Sequence, residues 1–227
     1  MKNIVIFDLD GTLIDTLDSL VISVNKTLEQ LQLASITREQ CRQFVGNGAR
    51  ALLLDSIVAV QGNCEEELLE KALQIFGGIF VEYCMYQVVP YNGMKELLNH
   101  LRTEGFQLAI LSNKPHERTV QIVESMFGKG YFAHIQGQCE SVPKKPDPKS
   151  IEYVLDKIRG TKDECIYIGD SEVDMMTGIA ADVSTIGVSW GFRDKSVLEA
   201  VEDKNHKITL VDDVESIIEY IFGCNAK

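Results

Sequence analysis

Residues 2–15 constrain this chain more than any other stretch. They read Lys-Asn-Ile-Val-Ile-Phe-Asp-Leu-Asp-Gly-Thr-Leu-Ile-Asp. The apolar run Ile4 to Phe7 ends in two carboxylates one residue apart, Asp8 and Asp10, and a Gly-Thr turn follows. Such a run predicts a strand buried on both faces, with the Gly marking its end. At a strand end, residues i and i+2 point to the same side. Asp8 and Asp10 therefore crowd each other, and adjacent anions are costly unless a cation or a shared proton relieves them. The stretch predicts a metal site, acid–base chemistry, or both. Asp and Gly are also ordinary turn formers after a buried strand, so the rest of the chain decides the weight of this reading.

From residue 16 the pattern changes. Leu17, Leu20, Val21, Val24, Leu28 and Leu31 recur at three- and four-residue spacing, as an amphipathic helix requires. Asp15, Thr16 and Asp18 form its N-cap cluster, and Thr37 with Gln40 reads as a capping box opening a second helix. Gly46-Asn47-Gly48 breaks that helix, and apolar or helical stretches follow at 51–60 and 64–88. No strand is predicted between Thr16 and Val89, so this insert is expected to fold as a small helical bundle. Pro90-Tyr91-Asn92-Gly93 is the return turn.

Beyond it the chain alternates. Strands are expected at 106–111, 132–136, 165–168, 183–188 and 207–210, and helices at 94–104, 116–127, 148–158, 173–181, 194–202 and 214–222. This alternation predicts an α/β fold, a Rossmann-like parallel sheet with helices on both faces. Residues 1–15 and 91–227 would form that core, and 16–90 the inserted helical domain. Ligands in such sheets bind at the carboxyl ends of the strands. Neither a GxGxxG fingerprint nor a P-loop is present.

Composition narrows the partners. The net charge of −12 argues against nucleic acid and anionic membrane surfaces. An anionic small substrate stays compatible, because a metal reverses the sign inside one pocket. The six cysteines, at 41, 64, 84, 139, 165 and 224, show no zinc spacing. Their scatter through apolar runs suggests a reducing, cytoplasmic compartment. The chain enters a strand at once, leaving no room for a signal peptide, and no apolar run is long enough to span a membrane.

Under this fold four polar groups, at strand ends or in adjoining loops, are expected to converge. They are Asp8, Asp10 and Thr12; Ser112, Asn113 and Lys114; Lys145 in Lys-Lys-Pro-Asp-Pro; and Asp170, Ser171 and Asp174. Each alone has a plain structural explanation, such as a helix cap or a solvated lysine. Together they resemble the haloacid dehalogenase superfamily in its phosphatase branch, over nearly the whole chain. Phe7-Asp8-Leu9-Asp10-Gly11-Thr12-Leu13 looks like its first motif and Leu111-Ser112-Asn113 like its second. Lys145-Pro146-Asp147-Pro148 looks like the third, and Gly169-Asp170-Ser171 with Asp174 like the fourth. The insert sits where a C1-type cap sits.

The resemblance implies roles. Asp8 is the expected nucleophile, giving an aspartyl-phosphate, and Asp10 the acid and base. Thr12, Ser112 and the N–H of Asn113 are expected on the substrate side, and Lys145, rather than Lys144, is expected to neutralise charge. Mg²⁺ would be held by Asp8, the carbonyl of Asp10 and Asp170, with Asp174 a further ligand or an orienter. Asp10 also favours phosphate ester cleavage over dehalogenation, which has no alkoxide to protonate.

The substrate is less legible. Gly46-Asn47-Gly48-Ala49-Arg50 with the leucines after it, and Ser189-Trp190-Gly191-Phe192-Arg193, resemble phosphoglycolate phosphatases. Gly46, Asn47 and Arg50 are thus candidate substrate contacts, with Arg50, or else Arg193, reading a distal anion of a small phosphorylated metabolite. The alternative for Arg50 is a solvated helix face. Nucleotidase, pyrophosphatase and β-phosphoglucomutase-type activities share the same core. No histidine lies within 16–90 to suit a mutase. A non-catalytic phosphate- or metal-binding module would not need Asp10. A monomer and a homodimer are equally compatible with the sequence.

Overall fold

The computed structural model describes residues 2–204 and 207–225. The chain divides into two compact units, 1–14 with 90–227 and 15–89. Two-residue strands, β2 (Ile14–Asp15) and β3 (Val89–Pro90), lie at the two points where the chain passes from one unit to the other.

The first unit is built on β1 (Ile4–Phe7). After β3 come α5 (Met94–Thr103), β4 (Gln107–Pro115), α6 (His116–Phe127), β5 (His134–Gln138) and α7 (Lys149–Ile158). Then follow β6 (Cys165–Gly169), α8 (Glu172–Ala181), β7 (Ser184–Val188), α9 (Lys195–Glu199), β8 (Ile208–Val211) and α10 (Val214–Asn225). The strands form a parallel six-stranded sheet in the order β5-β4-β1-β6-β7-β8. β1 lies between β4 and β6, with Ile6 opposite Ala109 on one side and Tyr167 on the other. The chain lays β4 and β5 to one side of β1 and β6 to β8 to the other, so the topological switch point is at β1.

Both faces of the sheet are covered, which is why its strands read as near-continuous apolar runs. Ile4, Ile6, Ala109, Leu111, Cys165 and Tyr167 pack under Ile151, Val154, Leu155 and Ile158 of α7. The alternate residues Val5, Phe7, Leu108, Ile110, Ile166 and Ile168 are buried as well. Most expected elements lie within a residue or two of their predicted bounds. The exceptions have local causes. β4 runs four residues past Leu111, so Ser112, Asn113 and Lys114 are strand and not loop. The helix expected at 194–202 spans only Lys195–Glu199.

The second unit holds α1 (Leu17–Gln30), α2 (Arg38–Phe44), α3 (Gly48–Gln61) and α4 (Glu66–Tyr83). Leu17, Leu20, Val24 and Leu28 form the buried face of α1, which packs along α4 with its buried Leu69, Ala72, Phe76 and Phe80. The hydroxyls of Ser19, Ser23 and Thr27 are buried with that face and donate to backbone carbonyls of Thr16, Ser19 and Ser23. These small polar groups are satisfied within their own helix. The Thr37–Gln40 capping box is present at the start of α2. At the start of α1 the Asp15 carboxylate, not Thr16, accepts the cap bond, from the N–H of Leu17 at 3.0 Å. Among the described residues no helix is long and apolar enough to cross a membrane.

Candidate active site

The site is assembled where β1, β4 and β6 end. Asp8 continues the sheet for one residue beyond β1, its N–H donating to the carbonyl of Ile168 at 2.8 Å. A tight turn follows, with Gly11 at φ +86°. A side chain at Gly11 would also collide with the Asp170 carboxylate, 2.3 Å from the position of its Cβ. Gly therefore meets two needs here, a left-handed backbone and close approach to Asp170.

The charged groups form one buried cluster. Lys145 Nζ donates to Asp8 Oδ1 at 2.6 Å and to Asp174 Oδ1 at 2.7 Å. The side chain of Lys145 is 3% exposed, whereas Lys144 beside it is exposed. Carboxylate oxygens of Asp8, Asp170 and Asp174 lie within 4.8 Å of one another. Burial pushes the Asp8 carboxyl well above the ordinary carboxylate range; Lys145 opposes this, and the charges of Asp174 and Asp170 add to it. Burial, then the charge of Asp174, pushes Asp170 up to about 7. Asp174 goes the other way. Burial works against its ionisation, but the charge and hydrogen bond of Lys145, with bonds from Ser171 and Tyr167, outweigh it. Lys145 is likewise held protonated by its two carboxylates against the cost of burial.

Asp174 is saturated by protein donors. Its Oδ1 accepts from Lys145 and from the Tyr167 hydroxyl at 2.6 Å, and its Oδ2 from the N–H and hydroxyl of Ser171 at 3.0 and 2.6 Å. Ser171 and Asp174 are also the capping box that opens α8. These bonds fit an orienter of Lys145 rather than a direct metal ligand. Asp170 is fixed by the Thr12 hydroxyl on Oδ1 at 3.0 Å and the Phe192 N–H on Oδ2 at 2.7 Å. Thr12 thus faces the Asp170 carboxylate, although the sequence placed it on the substrate side. The loop after β7 is held in turn by the Trp190 indole N–H, which donates to the carbonyl of Thr12 at 3.2 Å.

Ser112 and Asn113 are both buried. The Asn113 side chain clamps the backbone of Lys145, accepting from its N–H at 2.9 Å and donating to its carbonyl at 3.2 Å. Asp10 lies at the edge of the cluster, its Oδ1 accepting from Lys114 Nζ at 2.6 Å.

The other expected contacts have partners of their own. Arg50 is on α3, exposed, and its guanidinium is engaged by Glu66 and Glu70 of α4, the latter at 2.5 Å. The guanidinium expected to read a substrate anion is thus paired with two carboxylates of its own unit. Gly46 and Asn47 form the turn before α3, with Asn47 exposed. Arg193 pairs with Glu172 at 2.8 Å. One buried polar residue was not singled out from the sequence: Tyr167 reads as core in an apolar strand, although a buried phenol needs a hydrogen-bond partner. Lys114 was placed among the converging strand-end groups but given no role.

The donor set fits a hard divalent cation. Three buried carboxylates offer only oxygen, and burial together with the neighbouring carboxylates outweighs Lys145 in raising the proton affinity of Asp8 and Asp170, a cost that a bound cation would relieve. Asp8 and Asp170 are the two suited to ligate it: each oxygen of Asp174 already accepts from two protein donors, whereas each oxygen of Asp170 accepts from one and Lys145 bonds one oxygen of Asp8.

Comparison with known proteins agrees with this geometry. The sequence profile of the haloacid dehalogenase-like hydrolases matches residues 5–188. A phosphoglycolate phosphatase of Colwellia psychrerythraea is 31% identical over 194 residues, covering 84% of this chain and 86% of its own. One from Pseudomonas putida is 29% identical over 99% of this chain and 80% of its own. The crystal structure of a Lactobacillus delbrueckii protein assigned as a phosphoglycolate phosphatase superposes with a TM-score of 0.87. It is 28% identical and the match covers 97% of this chain and 99% of that one.

Proposed function

Because the chain belongs to the haloacid dehalogenase-like hydrolase family, in its phosphatase branch, we propose that it is a Mg²⁺-dependent phosphate monoester hydrolase, acting first of all on 2-phosphoglycolate. The observation that carries the reading is the buried Lys145–Asp8 pair at 2.6 Å, set beside Asp170 and Asp174. A nucleophilic carboxylate needs a fixed orientation and a cation to offset the approaching phosphoryl group, and Lys145 supplies both.

In the first step an Asp8 oxygen bonds to phosphorus as the bond from phosphorus to the substrate alcohol breaks. The electron pair stays on the leaving oxygen, and Asp10 transfers its proton there. The Ser112 hydroxyl and the Asn113 N–H donate to non-bridging oxygens, while Asn113 keeps the Lys145 backbone in place. In the second step Asp10 takes a proton from water, the water oxygen bonds to phosphorus, and the Asp8–phosphorus bond breaks to release phosphate. Tyr167 and Ser171 act through Asp174 to hold Lys145 in register. Asp8, the Asp10 carbonyl and Asp170 would hold Mg²⁺. The ion supplies the positive charge that lets carboxylates and phosphate share one pocket.

The helical unit is proposed as the C1-type cap of this family. The choice of 2-phosphoglycolate rests on the relatives' names and on the motif around Trp190. Five described cysteines are free, which supports a reducing, cytoplasmic setting.

The test is phosphate release from a panel of esters, with Mg²⁺ and with chelator, for wild type and Asp8→Asn. The expected result is that 2-phosphoglycolate leads and that both chelator and Asp8→Asn abolish turnover. Another leading ester would overturn the substrate and leave the chemistry standing. No turnover on any ester would overturn the enzyme reading.

A further inference from the structure

Lys114 brings a second ammonium group into the interior of the α/β unit. Its side chain is 3% exposed. A lysine at a strand end ordinarily runs its stem over apolar surface and leaves its head in water. Removing that head from water is costly unless a partner compensates, and a buried lysine is therefore uncommon without a task. The partner here is Asp10 Oδ1, 2.6 Å away.

The end of β4 is shaped to deliver this lysine. Leu111 pairs with Gln136, and Pro115 pairs with Gln138, so four steps along β4 match two along β5. The surplus bulges, and bulges re-aim side chains next to active sites. Ser112, Asn113 and Lys114 are all buried at this bulge. The bulge is pinned on several sides. The Lys114 N–H donates to Ser112 Oγ at 3.2 Å, and the Thr119 hydroxyl donates to the Lys114 carbonyl at 3.1 Å. Gly137 on β5 leaves room for it, since a Cβ there would lie 2.7 Å from the Lys114 carbonyl oxygen and 2.6 Å from the His116 Cα. The Gly137 N–H donates to His116 Nδ1 at 3.2 Å.

We propose that Lys114 is a positioning residue for the acid–base step, holding the Asp10 carboxyl group in the place from which it exchanges a proton with the leaving oxygen. The inference rests on the reading of Asp10 as the acid and base. Within the Asp8–Asp10–Lys145 set, Lys145 pairs with Asp8 and Lys114 pairs with Asp10. It leaves the end of β1 on a turn, and Lys114 ties it across to β4. Proton transfer depends on such placement, because a displacement of about 1 Å can cost about 10²-fold in rate.

The test compares Lys114→Met, Asp10→Asn and the double variant on two substrates, using kcat/KM. One substrate is the leading alkyl phosphate, whose alkoxide must be protonated as it leaves. The other is p-nitrophenyl phosphate, whose phenolate leaves without a proton. kcat/KM stops at departure of the alcohol, so the later activation of water does not enter. Lys114→Met is expected to lose about 10²-fold on the alkyl ester and less than about 10-fold on the aryl ester, within the range of a general acid. The double variant is expected to be no worse than Asp10→Asn on the alkyl ester, and Lys114→Arg to recover part of the loss. Equal losses on both esters, or losses that multiply in the double variant, would overturn the proposal and place Lys114 on the phosphoryl group itself. If Asp10→Asn alone spares both esters or harms them equally, the acid–base reading fails, and with it the task given to Lys114. Should Lys114→Met not fold by thermal melt, Lys114→Gln carries the same comparison.

Discussion

The α/β unit and the helical unit set the same chemical parts, carboxylates against Lys or Arg, at opposite ends of the burial scale. In the first, Lys145 at 3% exposure lies between Asp8 and a wholly buried Asp174. In the second, Arg38 at 54% exposure faces Asp18, and Arg50 at 47% faces Glu66 and Glu70. Water and salt screen the exposed pairs, and they contribute little to stability. The buried cluster is different. Each of its members alone is expensive to desolvate, and the Lys145 ammonium, shared between Asp8 and Asp174, offsets part of that cost. An apolar cluster of the same volume would stabilise the fold as well or better. Charges retained there are therefore evidence of chemistry, while those on the helical unit need no such explanation.

The sharpest way to break this contrast is to remove one charge of each sign from the buried cluster. Asp8→Asn is expected to lower turnover by about 10⁴-fold or more, as removal of a nucleophile does. It should not lower the melting temperature in chelator, because it thins three crowded carboxylates to two and leaves the Lys145–Asp174 pair intact. Lys145→Met is expected to lose activity and also about 3–5 kcal/mol of stability, since it leaves Asp8 and Asp174 buried without their cation. Urea unfolding in chelator measures both. Equal stability for Lys145→Met and wild type would mean that the cluster is not held by its charges.

A smaller effect sharpens the same point. Tyr167→Phe keeps the ring in the core and removes one donor from Asp174. It is expected to cost about 1 kcal/mol, with a drop in kcat larger than any change in KM, because Lys145 would be less firmly oriented. An unchanged kcat would reduce Tyr167 to packing.

The two regions also differ in what the sequence discloses. The order of elements was legible because buried strands and amphipathic helices carry their own periods. The capping box at Thr37–Gln40 was legible because every atom involved lies within four residues. Asp8, Lys145 and Asp170 were recognisable as a set of groups at strand ends and an adjoining loop, and the structure brings Asp8 and Lys145 into direct contact. What escaped the sequence depends on distant partners. A polar Ser-Asn-Lys run reads as the end of a strand, and only its pairing with β5 makes it a buried bulge. Lys114 finds its carboxylate 104 residues away. Tyr167 looks like any aromatic in an apolar strand until the first turn of α8 brings Asp174 to its hydroxyl.

Arg50 shows the same limit from the other side, and it carries the smallest expected effect. Its spacing after Gly46-Asn47-Gly48 suggested a reader of the substrate's distal anion, yet its partners come from α4, 16 and 20 residues on. With both carboxylates in place, Arg50→Ala is expected to change kcat/KM by no more than about 2-fold, the scale of an ordinary surface substitution. The change should be the same for 2-phosphoglycolate and for a phosphate ester that carries no second anion. A loss confined to 2-phosphoglycolate would mean that the guanidinium leaves Glu66 and Glu70 for the substrate. In that case the Glu66→Gln, Glu70→Gln double variant, which frees the same guanidinium, should bind 2-phosphoglycolate with a lower KM. If instead that variant leaves KM unchanged, the fork is structural, and the substrate's second charge must be read from the α/β unit.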